Sequence, residues 1–318
     1  MRILFMGTPE FAVASLDALI KNNFEVVAVV TSPDKPAGRG QALHESAVKT
    51  YAREHHLKIL QPVNLKDEKF IEELSELKAD LQIVVAFRML PEKVWNMPKM
   101  GTFNLHASLL PRYRGAAPIN WAIMNGETET GVTTFKLKHE IDTGNILFYD
   151  KVLIGPDTTA GELHDKLMNA GAALIVKTVN QILLAFDGNA PLNFLPQNDT
   201  LACHAPKIFK ETCKIDWNNE AKHIYDQIRG LSPHPGAFSE LVTSEGKLML
   251  VKIFAANFEE KQHTNTNGSL DTDEKTFIKV FCKNGAIEIT DLQLQGKKRM
   301  PVTDFLRGFK LNTLMQFK

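Results

Sequence analysis

Short continuous apolar runs alternate with amphipathic stretches through roughly the first 190 residues. Ile3–Met6, Val26–Val30 and Leu81–Ala86 are brief, unbroken and rich in β-branched residues, the pattern of strands buried on both faces. Between them Phe11–Lys21, Ser46–His56 and Asp67–Leu77 carry helical spacing, as in Phe11, Leu16, Leu19 and Ile20. Strand–helix–strand alternation of this kind predicts an α/β fold with right-handed crossovers and a doubly wound, mostly parallel sheet. Thr102–His106, Val132–Leu137 and Ile146–Leu153 follow as further strands, and Thr159–Phe186 as one long helix.

The pattern then changes. Asp187–Pro206 holds Gly188, Pro191, Pro196 and Pro206 with little periodicity, which reads as an interdomain linker. Beyond it lie short strands at Lys247–Ala255, Thr276–Cys282, Ala286–Ile289 and Leu292–Leu294. Asn284-Gly285 marks a tight hairpin, and helices are expected at Asn219–Arg229 and Val302–Gly308. This suggests a small β-barrel. The expected division is therefore residues 1–188, a linker at 189–206, and 207–318. A length of 318 residues agrees, since a single core stops growing at roughly 250–300 residues. The polar stretch 260–275 is expected to be a mobile hairpin loop.

Composition adds mainly exclusions. The opening run Met1–Met6 is too short for the apolar region of a signal peptide. No stretch is expected to approach the roughly 18–20 apolar residues of a membrane helix, so the protein is expected to be cytoplasmic, without a membrane partner. Cys203, Cys213 and Cys282 are odd in number and widely spaced. They suit a reducing compartment and packing positions, and provide neither a disulfide framework nor a metal site. Formal net charge is zero, but from Pro206 onward there are 17 Lys+Arg against 14 Asp+Glu, or +3. Without the acidic stretch Glu259–Lys275 the remainder is 15 against 9, or +6, a mild bias compatible with a phosphate-bearing partner.

Candidate chemistry begins with the first strand–helix turn, Met6-Gly7-Thr8-Pro9-Glu10-Phe11. A dinucleotide fingerprint needs GxGxxG here and an acid closing the second strand. One glycine is present, Pro9 and Glu10 would obstruct a pyrophosphate, and the second strand ends in Thr31-Ser32. The segment instead reads as a helix start with Thr8 as N-cap and Pro9 in the first turn. The dense region is Gly101–Gly144. In Thr102–His106 side chains alternate faces, so Asn104 and His106 share one face while Phe103 and Leu105 take the other. A long irregular stretch, Ala107–Pro118, follows directly, at the carboxyl edge where α/β folds bind ligands.

No GxSxG elbow is present and no cysteine accompanies His106, so covalent serine or thiol catalysis lacks support. A direct acyl transfer needs only oxyanion stabilisation and a route for a proton. An Asn amide and a His can donate to the oxyanion, and a carboxylate such as Asp142 can orient the His or take the attacking amine's proton. A solvent-facing strand and a plain turn at Asp142-Thr143-Gly144 remain open on these residues alone.

The run Asn104-Leu105-His106-Ala107-Ser108-Leu109-Leu110-Pro111-Arg112-Tyr113-Arg114-Gly115, with Asp142-Thr143-Gly144 after it, resembles the formyltetrahydrofolate-dependent formyltransferases. Gly7–Phe11 and Pro233-His234-Pro235-Gly236-Ala237 also match, so the resemblance covers essentially the whole chain. It implies a Rossmann-like catalytic domain, a linker and an OB-like barrel, with Asn104, His106 and Asp142 as the catalytic set. The implied donor is 10-formyltetrahydrofolate, lying along Phe87, Arg88, Met89 and Leu90, along Ser108, Leu109, Leu110 and Pro111, and along His139, Glu140 and Ile141. No metal is implied. The implied acceptor is initiator methionyl-tRNA, met by Lys35 and Arg39 of the Gly/Pro-rich loop Ser32–Gln41, by Lys207 and Lys210, and by Lys297, Lys298 and Arg299 on a barrel loop. The family suggests a monomer. Two departures stand out: Arg88 replaces a glycine after Ala86-Phe87, and Lys138-His139-Glu140 replaces an Asp-x-Gly before Asp142. The alternatives carried forward are a formyltransferase acting on a UDP-amino sugar and a non-catalytic RNA-binding protein.

Overall fold

The computed structural model describes residues 1–37, 42–311 and 315–318 of the chain. Two compact units are present. One comprises Met1–Gly115, Glu129–Leu153 and His164–Ala205; the other comprises Ala116–Thr128, Ile154–Leu163 and Pro206–Lys318.

The first unit is built on a seven-stranded sheet. Its strands are β1 (Arg2–Gly7), β2 (Glu25–Val30), β3 (Ile59–Leu60), β4 (Leu81–Val85), β5 (Thr102–His106), β6 (Glu129–Lys136) and β7 (Ile146–Leu153), in the order β7-β6-β5-β4-β1-β2-β3. Pairings among β1 to β5 are parallel, while β6 and β7 add antiparallel strands at one edge. This is the expected Rossmann-like sheet. β1 and β4 are buried almost throughout, as continuous apolar runs require. On one face Leu4, Met6, Ala28, Val30 and Val84 pack with Phe70, Leu74 and Leu77 of the third helix region.

β5 positions the site. The long helix Ala160–Phe186 reaches Leu105, since a Cβ on Gly171 would lie 2.7 Å from Leu105 Cδ2, and Thr178 Oγ1 pairs with Thr134 Oγ1 at 2.8 Å. Leu105 thus faces this helix, and Asn104 and His106 face away from it. The helix corrects one expectation. Its 27 residues include a window of mean hydropathy 1.4, long and apolar enough to cross a membrane by length and composition. Its buried positions Leu163, Leu167, Gly171, Leu174, Ile175, Thr178, Val179 and Ile182 recur every three or four residues, the single stripe of a helix packed on one side.

Two local expectations change. The first helix spans Glu10–Lys21 with Pro9 at the N-cap and no side-chain cap, while the Thr8 hydroxyl pairs with Ser32 Oγ at 3.0 Å. The hydroxyl had a partner across the strand ends, so it left the helix terminus. The expected linker 189–206 also belongs almost wholly to the first unit. Phe194 stacks at 6.2 Å from Phe103, Leu195 exchanges backbone hydrogen bonds with Ile146, and His204–Ala205 pairs in parallel with Arg114–Gly115. Irregular composition did not mean an untethered chain, because these contacts are all long range.

The second unit carries an antiparallel sheet ordered Leu270–Thr272, Ile278–Cys282, Gly285–Leu294, Leu248–Glu260, Ala237–Val242 and Gln316–Phe317. Phe317 N–H donates to Gly268 O at 2.9 Å and Ser269 bridges Gln316, so the ends of the sheet approach closure into a barrel. Its core includes Trp217, Ile253, Ile278, Val280, Ile287, Leu292 and Phe305. Helix Pro118–Met124, encoded far upstream, belongs here: Asn120 Nδ2 donates to Gly230 O at 2.7 Å and Trp121 Nε1 to Pro206 O at 2.7 Å. The stretch 260–275 is not a plain loop. It contains the short strand Leu270–Thr272 and a turn in which Asp273 accepts from the Thr276 hydroxyl and from the backbone N–H groups of Thr276, Lys275 and Phe277, holding its carboxyl well below the usual range.

Phe103 is fully buried on the site strand β5 itself. Phe103→Ala is expected to lower unfolding free energy by about 3–5 kcal/mol, read from a shift in the denaturant midpoint.

Candidate active site

The carboxyl ends of β4 and β5 open onto segments whose backbone leaves the ordinary regions. Ala86 after β4 and Tyr113 after β5 have positive φ, at 47° and 58°, as does Asp142 in the turn between β6 and β7, at 54°. Non-glycine residues in the left-handed region cluster where the surroundings over-determine them.

His106 is 7% exposed. Its Nε2 lies 2.8 Å from Tyr113 O. A carbonyl only accepts, so Nε2 carries a proton and donates it, and the ring orientation is fixed. Nδ1 then faces Asp142, whose Oδ2 stands 3.8 Å away. That distance is too long for a hydrogen bond, and it leaves the Nδ1 edge available. Asp142 is itself held, because its Oδ2 accepts the Gly115 N–H at 2.9 Å. Asn104, partly buried, lies two residues before His106 on the same strand face. The three residues singled out from sequence therefore converge on one side of the sheet.

A second layer of bonds surrounds them. Gln197 Nε2 donates to Asp142 O and Gly144 O, both at 2.8 Å, and its Oε1 accepts from Arg114 Nε at 3.0 Å and Nη2 at 2.6 Å. Arg114 Nη2 also meets Asp199 Oδ1 at 2.7 Å. Arg114 N–H donates to Cys203 O, and Tyr113 N–H to Cys203 Sγ at 3.2 Å. Cys203 thus contacts the site, while Cys213 and Cys282 are buried, with thiols pushed up by burial. Sequence reasoning did not mark Gln197, Asp199 or Cys203 for the site. Nothing in a non-periodic, proline-bearing stretch pairs such residues with a turn some 55 positions earlier.

The expected donor-binding residues fall into two groups. Ser108 is buried, its Oγ donating to Arg112 O and its carbonyl accepting from Thr133 Oγ1; Leu110 packs with Phe135 and Ile146. Leu109 lies over Gly131, where a Cβ would come within 2.5 Å of it, and Pro111 is partly buried. By contrast Met89 and Ile141 are 72% and 58% exposed, and His139 and Glu140 are exposed too. Phe87 is partly buried against the first-unit core, and Leu90 lies within that core. Arg88 turns aside: Nη1 and Nη2 donate to Val63 O and Pro62 O at 3.1 and 2.7 Å, and burial pulls its guanidinium below the ordinary value. A glycine at this position could make neither bond.

Of the expected cationic residues, Arg39 lies outside the described residues. Lys35 is exposed in a short strand, Lys35–Ala37, paired with Ala42–His44. Lys207 and Lys210 are exposed, with Lys207 Nζ 5.9 Å from the Phe209 ring centre. Lys297 and Lys298 are exposed on their loop, whereas Arg299 is held by Asp291 at 2.9 Å and sits 4.6 Å above the Phe254 ring.

Residues 1–179 match the model of the family described as formyl transferase, and residues 207–310 match that of the formyl transferase C-terminal domain. The chain is 53% identical over 322 residues to the methionyl-tRNA formyltransferase of Bacteroides fragilis, covering 100% of this chain and 98% of that relative. It is 55% identical over 311 residues to the methionyl-tRNA formyltransferase of Phocaeicola vulgatus, covering 98% and 96%. Among solved structures, WlaRD, a sugar 3N-formyl transferase in the presence of dTDP and 5-N-formyl-THF, superposes with a TM-score of 0.65. It is 22% identical and covers 94% of this chain and 99% of that one, a likeness of fold.

A Cβ on Gly144 would lie 1.8 Å from Lys136 O. Gly144→Ala is therefore expected to displace the turn bearing Asp142 and to cost about 1–3 kcal/mol of stability. Hydrogen exchange at the Gly115 amide, now held by Asp142, reads the displacement directly as reduced protection.

Proposed function

This chain belongs to the formyl transferase family, and from that premise we propose that it moves a formyl group from 10-formyltetrahydrofolate to the amino group of methionine esterified to initiator tRNA. The observation that carries the reading is the fixed ring of His106, with its Nδ1 edge beside Asp142 and on the strand face of Asn104. Full-length relatives at 53–55% identity, named for this reaction, support the acceptor. The solved sugar formyl transferase shares the fold at 22% identity, a weaker warrant for a sugar acceptor.

In this reading the amine nitrogen attacks the formyl carbon, and the carbonyl electron pair moves to oxygen. Collapse of the tetrahedral intermediate breaks the bond to the folate nitrogen. The amine gives up one proton and the folate nitrogen gains one, so no external acid or base is consumed. In this reading His106 acts as the imidazolium: its Nε2–H stays on Tyr113 O while its Nδ1–H joins Asn104 Nδ2 in donating to the oxyanion, each donor worth roughly 3–4 kcal/mol when well placed. Asp142, anchored by the Gly115 N–H, accepts the proton of the attacking amine and returns it to the leaving nitrogen. The donor's ring system lies against Phe87–Leu90, Ser108–Pro111 and His139–Ile141. The exposed apolar surface of Met89 and Ile141 supports that placement.

The acceptor is held by charge. Lys35 and Arg39, Lys207 and Lys210, and Lys297, Lys298 and Arg299 meet phosphate oxygens, and the first unit performs the chemistry while the second binds tRNA. All three reacting side chains come from one unit, which supports a monomer as the active species. Such an acceptor puts the reaction in the cytoplasm.

Formyl transfer to charged initiator tRNA, with a UDP-amino sugar as the competing acceptor, tests the reading; transfer to the sugar alone would reject it. His106→Ala and Asp142→Ala are each expected to lower kcat about 10²–10³-fold, with tRNA affinity changed by less than about twofold. Replacing both Lys297 and Lys298 by Ala should weaken tRNA binding and reduce the slope of log affinity against log salt by about one for each phosphate no longer neutralised.

A further inference from the structure

We propose that Gln197 is the positioning residue of the catalytic carboxylate, holding the Asp142 turn in its reactive conformation against the buried guanidinium of Arg114. The proposal rests on the formyl-transfer reading of Asp142, His106 and Asn104.

The amide of Gln197 is saturated, and its orientation is unambiguous. Both Nε2 hydrogens go to carbonyls that can only accept, Asp142 O and Gly144 O. Both acceptor positions on Oε1 are taken by Arg114, which can only donate. A flipped amide would set donor against donor on one side and acceptor against acceptor on the other. One end of this bracket is the residue that needs it: Asp142 sits at φ 54°, a conformation unfavourable for a side chain with a Cβ, and its own carbonyl is tied through Gln197 to that of Gly144 two residues on.

Arg114 completes the device. It is 9% exposed, and its charge faces a neutral amide and a carboxylate, Asp199, whose side chain is 80% exposed. A buried guanidinium pulling on Oε1 polarises the amide and strengthens the two N–H donors on its far side. Its own place is set by backbone: Arg114 N–H donates to Cys203 O, and Arg114–Gly115 pairs with His204–Ala205. Gly115 in turn supplies the N–H that holds Asp142 Oδ2, and a Cβ there would lie 2.7 Å from Ala205 O. Asp142 is therefore gripped twice, at its carboxylate through Gly115 and at its backbone through Gln197. Both grips depend on the one stretch, 195–205, that composition describes as a linker.

Gln197→Glu separates positioning from stability. Glutamate keeps acceptor oxygens for Arg114, adding an ion pair, but has no N–H for the two carbonyls. Gln197→Leu removes both halves and guards against an unforeseen gain from the new charge. Each variant is assayed for formyl transfer to charged initiator tRNA, with its thermal midpoint recorded, alone and combined with Asp142→Ala. For Gln197→Glu we expect kcat lower by about 10–100-fold, with KM for donor and tRNA within about twofold and the thermal midpoint kept. In the Asp142→Ala background the same substitution should change kcat by less than about twofold, because a residue acting through Asp142 has nothing left to position. Undiminished kcat in both single variants overturns the proposal, as does a loss that multiplies fully with that of Asp142→Ala. No transfer by the unsubstituted chain overturns the activity reading, and this proposal with it; transfer by that chain alongside unaffected variants overturns this proposal alone.

Discussion

The arrangement of the site depends on the two-residue alternation of one central strand. Phe103 and Leu105 are buried, Leu105 against the long helix at Gly171, where a Cβ would lie 2.7 Å from Leu105 Cδ2. Burying both fixes the strand's register, and a slip of one residue would exchange the faces of all five side chains. Asn104 and His106 are thereby committed to the other face at the carboxyl end of the sheet. The polar pair is precise because the apolar pair is packed, and strand β5 sits between parallel β4 and antiparallel β6, which removes any freedom at its edges.

Beyond the strand, precision comes from backbone carbonyls and amides. His106 is aimed by the Tyr113 carbonyl, Asp142 by the Gly115 amide, and the Asp142 turn by Gln197. Tyr113 and Asp142 both occupy the left-handed region, a cost tolerated where several long-range bonds oppose relaxation. Buried polar groups that are fully bonded specify one geometry, whereas partly bonded ones would permit several. The Nδ1 edge of His106 stands 3.8 Å from the Asp142 carboxylate, beyond hydrogen-bond distance.

The second unit answers a different demand. Its barrel core is apolar and closes through backbone bonds between Gly268 and Phe317, so its loops are left to carry charge. Arg299 is ion-paired with Asp291 and lies over the Phe254 ring, while Lys297 and Lys298 beside it remain exposed.

Periodicity alone determined much of this protein. Continuous apolar runs and helical spacing led to the parallel sheet, the Asn284-Gly285 turn and short strands led to the barrel, and alternation placed Asn104 and His106 on one face. The motif around Asn104–Gly115 added Asp142 by resemblance, since no local pattern connects residues 106 and 142. Only the tertiary structure decided the rest. It drew Thr8 to Ser32 rather than to a helix cap, assigned Pro118–Met124 to the second unit, and turned Arg88 toward Pro62 and Val63. Above all it bonded Gln197 of a supposed linker to the Asp142 turn and paired Ala205 with Gly115. Local patterns report which face of an element is buried, because burial repeats with the period of the backbone. Side-chain bonds to carbonyls from distant segments have no period, so nothing in the order of residues could announce them.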